Sequence, residues 1–366
     1  MPNKAEIVYV LPVLDPAGAE RIVADLAKRI PARGFSVSVV CLEDERASVG
    51  AELSAAGVAV HGLRLSRRRT LACANALRAR LPKTRPLIVH AHLFHANMAA
   101  RFAFSGIPKG ERAGIHVLNT IHVAERRFRP WQFAMDRATA AHARAEVCVS
   151  RAVARFQQEK TGLPEAFFRV IENGISLERF YPPETAVPTQ RILSVGRLDP
   201  QKNYPLLLQA WKTVSAAFPR ATLSIAGSGP EESTLKGICR KSGFQNVQFL
   251  GFVQDIPALM RESSIYVQPS AWEGFGLAVA EAMACALPPI VTDVDSLPEV
   301  VTHGKTGLVV PKDDAGVLAG ALISLLSDPA HASALGAAAR AEAIKRFSVE
   351  RMADDYAALY DELLDG

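Results

Sequence analysis

Short apolar runs recur along the chain, each followed by a turn signal and a stretch with helical spacing. In the first half they read IVYVL, SVSVV, VAVHG, LIVHAH, VLNTIH, AEVCVS and RVIEN; in the second, RILSVG, TLSIAG, VQFLGF, SIYVQP, PIVTDV and GLVVP. Alternation of strand-like and helical stretches predicts an α/β chain of parallel sheets with helices on both faces. Between the two sets lies YPPETAVPTQ (181–190), which combines proline with polar residues and is the linker candidate. At 366 residues the chain is long for a single core, so about two domains are expected. The pattern places them at residues 1–183 and 190–347, with 348–366 (SVERMADDYAALYDELLDG) carrying apolar residues at helical spacing.

Composition narrows the class. Hydrophobic residues make up 49% of the chain and charged residues are 22% and well mixed, as in an ordinary globular protein. Cys41, Cys73, Cys148, Cys239 and Cys285 are scattered without a CxxC pair or metal-ligand spacing, which fits a reduced cytoplasm. The N-terminal apolar run is broken by Pro12 and Asp15 and reads as a strand and its turn, not a signal peptide. No apolar stretch approaches a membrane span, the nearest being interrupted by Glu281, so a cytoplasmic protein, soluble or peripheral, is expected.

The net charge of +5 is concentrated in the first half, in SRRRT (66–70) and ERRFRPWQF (125–133). Arg67, Arg68, Arg69, Arg126, Arg127 and Arg129, interleaved with Phe128, Trp131 and Phe133, suit an anionic membrane surface such as the inner face of a cytoplasmic membrane. A solvated loop is the plainer alternative. Nucleic acid is disfavoured, because no recognition fold accompanies the basic residues.

Residues 270–289, SAWEGFGLAVAEAMACALPP, concentrate the chemistry. The preceding run SIYVQPS reads as a buried strand and LAVAEAMACA as a helix, with Gly274 and Gly276 permitting a tight turn between them. Such strand-loop-helix joints are where α/β sheets bind ligands. Glu273 falls on the loop and Glu281 about one turn into the helix, its side chain leaning back toward the helix start. An unpaired charge on an otherwise apolar helix is costly, so Glu281 is expected to be solvated, paired or bound to something polar.

This segment resembles the donor-binding motif of the retaining family 4 glycosyltransferases. Further segments match the family in order: AGAER (17–21), VHAH (89–92), TIH (120–122), VSRAV (149–153), ENGIS (172–176), VGRLDPQKN (195–203) and AGSGPE (226–231). The resemblance implies the GT-B fold, two facing Rossmann-like domains with a crevice between them and a last helix crossing back to the first domain. It also implies transfer of a sugar from a UDP- or GDP-sugar to a glycolipid or oligosaccharide acceptor of the cell envelope, with no cofactor and no metal.

The residue roles implied by the resemblance fit their chemistry. Arg197 and Lys202 match the pair used on the diphosphate, a fork and a point charge for the growing negative charge of the leaving group. Gly18 lies at a helix start where backbone N–H groups suit a second diphosphate contact. Backbone amides of Gly274, Phe275 and Gly276, with the Glu273 carboxylate, match the sugar site, and Glu281 the ribose site. The region Gly251–Gln254 matches the place where the base is read. His122 matches the active-site histidine beside the donor sugar. On LIVHAH, strand-end His92 is better placed than His90 for the crevice, and His92 and His95 are acceptor-side candidates. A zinc site from His90, His92 and His95 lacks carboxylate or thiolate help. Asp293-Val294-Asp295 spells a metal-binding Asp-x-Asp, but it stands where the family has aspartate followed by glycines; Asp295 and Ser296 replace those small residues. Two other classes fit the same pattern, a nucleotide-sugar epimerase on this fold and a non-catalytic sugar-nucleotide-binding protein.

Overall fold

The computed structural model describes residues 3–45, 48–184 and 190–365. Two compact units form, Met1–Gly174 together with Val349–Gly366, and Ile175–Ser348. Ile175 begins the second unit because it bridges Ser348 and donates its amide to the Phe347 carbonyl at 2.7 Å. The first residues of the expected first domain beyond 174 therefore travel with the second unit. Residues 185–189 of the linker candidate lie outside the described residues.

Each apolar run becomes a strand. In the first unit these are β1 (Glu6–Leu11), β2 (Ser36–Cys41), β3 (Ala59–Gly62), β4 (Leu87–His92), β5 (Ile115–Ile121), β6 (Ala145–Cys148) and β7 (Phe168–Val170). They pair in parallel in the order β3-β2-β1-β4-β5-β6-β7. The second unit holds β8 (Arg191–Val195), β9 (Thr222–Ala226), β10 (Val247–Gly251), β11 (Ile265–Gln268), β12 (Pro289–Thr292) and β13 (Leu308–Val310), parallel in the order β10-β9-β8-β11-β12-β13. Central strands are buried along their length, as all-parallel sheets covered on both faces require. Strand order reverses between β1 and β4 in one sheet and between β8 and β11 in the other. Connections at such a point diverge and leave a cleft at the carboxyl ends of the strands, where ligands bind.

Packing explains the local choices. Helix Phe94–Phe104 turns Ala96, Ala99, Ala100 and Ala103 toward Val8, Val89 and Val117 of the sheet. Its Arg101 is wholly buried and compensated, donating to Asn119 Oδ1 at 2.6 Å and Asp136 Oδ1 at 2.6 Å and pairing closely with Glu146. In the second unit Trp211, Leu207, Ile225 and Ile290 build the core. The final helix, Val349–Asp365, belongs to the first unit: Met352, Tyr356 and Tyr360 are buried, while Arg29 meets Glu350 at 2.6 Å and Lys4 meets Asp361 at 2.8 Å. Among the described residues no single helix is long and apolar enough to cross a membrane.

Candidate functional site

In the second unit the loops after β8, β9 and β11 meet at the carboxyl edge. Gly196 donates to the Ala226 carbonyl and Leu198 to the Ser228 carbonyl, both at 3.0 Å. Gly229 has no room for a Cβ against the Leu198 backbone, so glycine alone permits that approach. At Gly196 a Cβ would lie 3.0 Å from Lys202 Cε, so the missing side chain lets the lysine stem cross the backbone. Lys202 Nζ then reaches Glu273 Oε2 at 2.6 Å, with only 17% and 10% of the two side chains exposed.

Glu273 is held from several directions. Gln268 Nε2 and Ser270 Oγ donate to Oε2 at 3.3 Å, and the Gly274 amide donates to Oε1 at 3.2 Å. Its own amide donates to Asp295 Oδ2 at 3.0 Å. Burial, with Tyr204, Glu281 and Glu273 nearby, pushes the Tyr266 hydroxyl well up, so it stays protonated and donates to Gln268 Oε1 at 2.6 Å. The glycine turn is required by its geometry. Gly276 has φ 91°, and a Cβ there would lie 2.8 Å from the Leu297 side chain. Phe275 stacks edge-on with Phe347 at 5.4 Å, committing its ring to the core. Glu281 is half-buried on helix Leu277–Ala284, and Arg197 is exposed, 3.9 Å from Asp199. Asp295 takes φ 43°, a left-handed conformation costly for a residue with a Cβ.

In the first unit His90 and His92 share one face of β4, their ring centroids 4.2 Å apart. His90 Nδ1 meets Tyr360 Oη and its Nε2 meets Thr120 Oγ1, each at 2.7 Å. His92 Nδ1 lies 3.0 Å from Nε2 of half-buried His122. Burial lowers all three, His122 to about 4 and the other two well below the usual imidazole range. His95 begins the next helix, half-buried, and is lowered by burial and by Arg67 and Arg68. Leu93 before it has φ 70°, local strain at the end of β4. Gly18 is exposed at the start of helix Gly18–Arg29.

The structure thus brings Lys202 together with Glu273, and His92 with His122. It does not bring His95 to them within bonding distance. Gln268, Ser270 and Tyr266 around Glu273, and Tyr9, Thr120, Tyr356 and Tyr360 around His90, were missed by the sequence reading, and Asp295 was noted there only as a departure from small residues. Gln268 as a polar residue in an apolar strand, and two tyrosines four apart on the last helix, were the available signals. Several surface cations are partly neutralised. Arg127 Nε and Nη2 donate to the two oxygens of Glu125 at 2.7 and 2.8 Å, and Arg67 faces Glu43 at 3.7 Å. Trp131 is 54% exposed beside Phe94. Among the described residues no cluster of His, Cys, Asp or Glu is arranged to hold a metal ion.

Two family models match. Residues 16–179 match Glycosyltransferase Family 4 and residues 182–342 match Glycosyl transferases group 1. The lipopolysaccharide core biosynthesis mannosyltransferase LpsB of Rhizobium meliloti is 32% identical over 213 residues, 53% of this chain and 61% of the relative. The GDP-mannose-dependent monoacylated alpha-(1-6)-phosphatidylinositol monomannoside mannosyltransferase of Corynebacterium glutamicum is 36% identical over 208 residues, 51% of this chain and 54% of the relative. The chain thus spans little more than half the length of these relatives. The solved structure of Anabaena Alr3699/HepE with UDP superposes with a TM-score of 0.82 at 20% identity, covering 98% of this chain and all of that one. Sucrose-phosphate synthase of Thermosynechococcus elongatus gives 0.80 at 22% identity, covering 98% and 99%. At such identities these structures establish the fold alone.

Proposed function

The chain belongs to the glycosyltransferases of the GT-B fold, with a Family 4 domain followed by a group 1 domain, and from that premise we propose that it transfers a sugar from a nucleotide-sugar donor to a glycoconjugate acceptor of the cell envelope. The observation that carries the reading is the buried Lys202–Glu273 pair set beside the Gly274-Phe275-Gly276 turn at the carboxyl ends of β8 and β11. Lys202 and Arg197 supply positive charge for the β-phosphate as its bond to the sugar breaks, a stabilisation that grows toward the transition state. The Phe275 and Gly276 amides donate to sugar hydroxyls and Glu273 accepts from another, while Gly274, its own amide turned to Glu273 Oε1, shapes the turn; Glu281 receives the ribose, and the turn at Gly251, with exposed Phe252, receives the base. Because the relatives named above are mannosyltransferases, GDP-mannose is the donor to test first.

The transfer retains anomeric configuration in this reading. A double displacement needs a carboxylate nucleophile under the anomeric carbon. Glu273 is already occupied by Lys202, Gln268, Ser270 and the Gly274 amide, so its role is to receive and orient. A same-face substitution follows, in which the departing phosphate oxygen takes the acceptor proton. Product anomers read by NMR test this, and a trapped glycosyl adduct on any carboxylate would overturn it. Arg197 and Lys202 do the work of a divalent ion, so turnover should be unchanged by EDTA; loss of turnover restored by Mg²⁺ or Mn²⁺ would contradict that. The protein works in the cytoplasm at the membrane surface, through the arginines and Trp131 of the first unit.

A further inference from the structure

His92 is enclosed completely, and its contacts carry more information than its position. Its Nδ1 lies 3.0 Å from His122 Nε2. Its Nε2 is buried and meets no hydrogen-bonding atom among the described residues. Burial keeps both rings neutral near pH 7, so each carries a single N–H and the bond between them has one donor and one acceptor. Two arrangements satisfy it. If His122 Nε2 donates, the proton of His92 must sit on its own Nε2, as a buried N–H with no partner. If His92 Nδ1 donates, the unpaired atom is a lone pair. In the backbone, orphaned buried N–H groups are rarer than under-satisfied carbonyls, and the same preference applied to the imidazole selects the second arrangement.

We propose that His92 is a positioning residue: its Nδ1–H fixes His122 in the Nδ1–H tautomer, so that His122 offers its ligand a hydrogen-bond donor and not a base. The tautomer rests on the first unit alone, and the identity of the ligand as a sugar substrate rests on the glycosyl-transfer reading above. With its Nε2 lone pair engaged by His92, His122 has one nitrogen left, Nδ1, which makes no bond to any described residue. An N–H there donates to a hydroxyl or phosphate oxygen and takes no proton from an acceptor.

The layers beneath hold this arrangement in place. His90 packs against His92 with the rings tilted and their centroids 4.2 Å apart, and it is gripped at both nitrogens, by Tyr360 and by Thr120. Tyr360 in turn meets Tyr9 Oη at 3.0 Å, and Tyr356 meets Thr120 at 3.4 Å. Bonding at both nitrogens fixes the plane of the His90 ring, and with it the floor on which His92 rests. The last helix thereby supports His122 through His90 and His92.

The test is a long-range proton–nitrogen NMR spectrum of the ¹⁵N-histidine-labelled full chain near pH 7.5, followed by two variants. Wild type should show His122 protonated at Nδ1. His92→Asn keeps an N–H donor where Nδ1 stands and should keep that tautomer, with kcat within about fivefold of wild type. His92→Leu removes the donor, should move His122 toward the Nε2–H form, and should lower kcat about 10²-fold with little change in KM, as loss of one transition-state donor does. A wild-type His122 protonated at Nε2 overturns the proposal, and that result needs no variant to fold. So does an unchanged tautomer in folded His92→Leu. A correct tautomer in a protein that turns over no nucleotide sugar would refute the functional reading and leave the positioning role standing.

Discussion

Replacing Lys202 with methionine removes a cation 2.6 Å from the Glu273 carboxylate, while the stem that crosses Gly196 keeps its length and packing. Stripping one partner from a buried ion pair costs about 3–5 kcal/mol, because the other charge is left uncompensated. Here the lower end applies, about 3 kcal/mol, since Gln268, Ser270 and the Gly274 amide still donate to the orphaned carboxylate. Adding Glu273→Gln removes that orphan charge, so the double variant should be less damaged than the sum of the single ones by about 1–2 kcal/mol. Nucleotide binding supplies an independent readout. Loss of one charge-assisted bond to a phosphate oxygen is worth about 1.5–3 kcal/mol, roughly ten- to 150-fold in Kd. Urea unfolding followed by circular dichroism measures the first quantity, and titration calorimetry with GDP and UDP the second. A Lys202→Met protein as stable as wild type would refute the buried-pair argument. A destabilised protein with unchanged nucleotide affinity would make the pair structural and remove Lys202 from the diphosphate.

Three further predictions test other parts of the molecule. Burial holds His122 at about 4 against 6.5 for a free imidazole; the unfolded chain therefore binds more protons between those values, and stability falls as pH drops through 6.5 toward 4. That ring accounts for at most about 2 kcal/mol between pH 7 and pH 5. Glu20, pushed up to about 7 by burial, works in the opposite direction, losing stability as pH rises through 7. The informative quantity is thus the difference between wild type and His122→Gln in urea midpoint at the two pH values; identical pH dependence would contradict the shift. Asp295→Gly relieves a left-handed backbone but removes the acceptor of the Glu273 amide. Net stability should stay within about 1 kcal/mol of wild type, while relative rates with GDP-mannose and UDP-glucose change; an unaltered ranking would remove Asp295 from sugar selection. Reversing Arg67, Arg68 and Arg69 to glutamate should weaken binding to phosphatidylserine vesicles by about 10²-fold or more, at about 1 kcal/mol per charge, and leave turnover of a soluble acceptor unchanged. Equal losses in both assays would place these arginines in folding or acceptor binding instead.

The strands were legible because burial on both faces of a parallel sheet writes itself as continuous apolar runs, and every run named from the sequence became a strand. The glycine turn and Glu273 were legible for a similar reason, since special backbone geometry and charge beside apolar runs stand out locally; Lys202 was named only through the family resemblance, as a diphosphate contact, and its pairing with Glu273 emerged from the fold. What stayed hidden depends on tertiary distance. Tyr360 meets His90 across 270 positions of sequence, and nothing local marks a tyrosine whose partner lies on a distant strand. The hydrogen bond by which Ile175, first residue of the second unit, donates to the Phe347 carbonyl was hidden in the same way, its partners lying far apart in sequence. Asp295 read as a departure from a small-residue pattern. Its role as acceptor for the Glu273 amide emerged only from the fold.

The central claim, that the second unit binds a nucleotide sugar, is tested most directly by titration calorimetry with a panel of GDP- and UDP-sugars on wild type, Glu281→Ala and Arg197→Ala. Selective binding of one donor, weakened at least tenfold by both substitutions, is the predicted result, at about 1.4 kcal/mol per factor of ten. No binding by any member of the panel, or equal affinity in all three proteins, would contradict it.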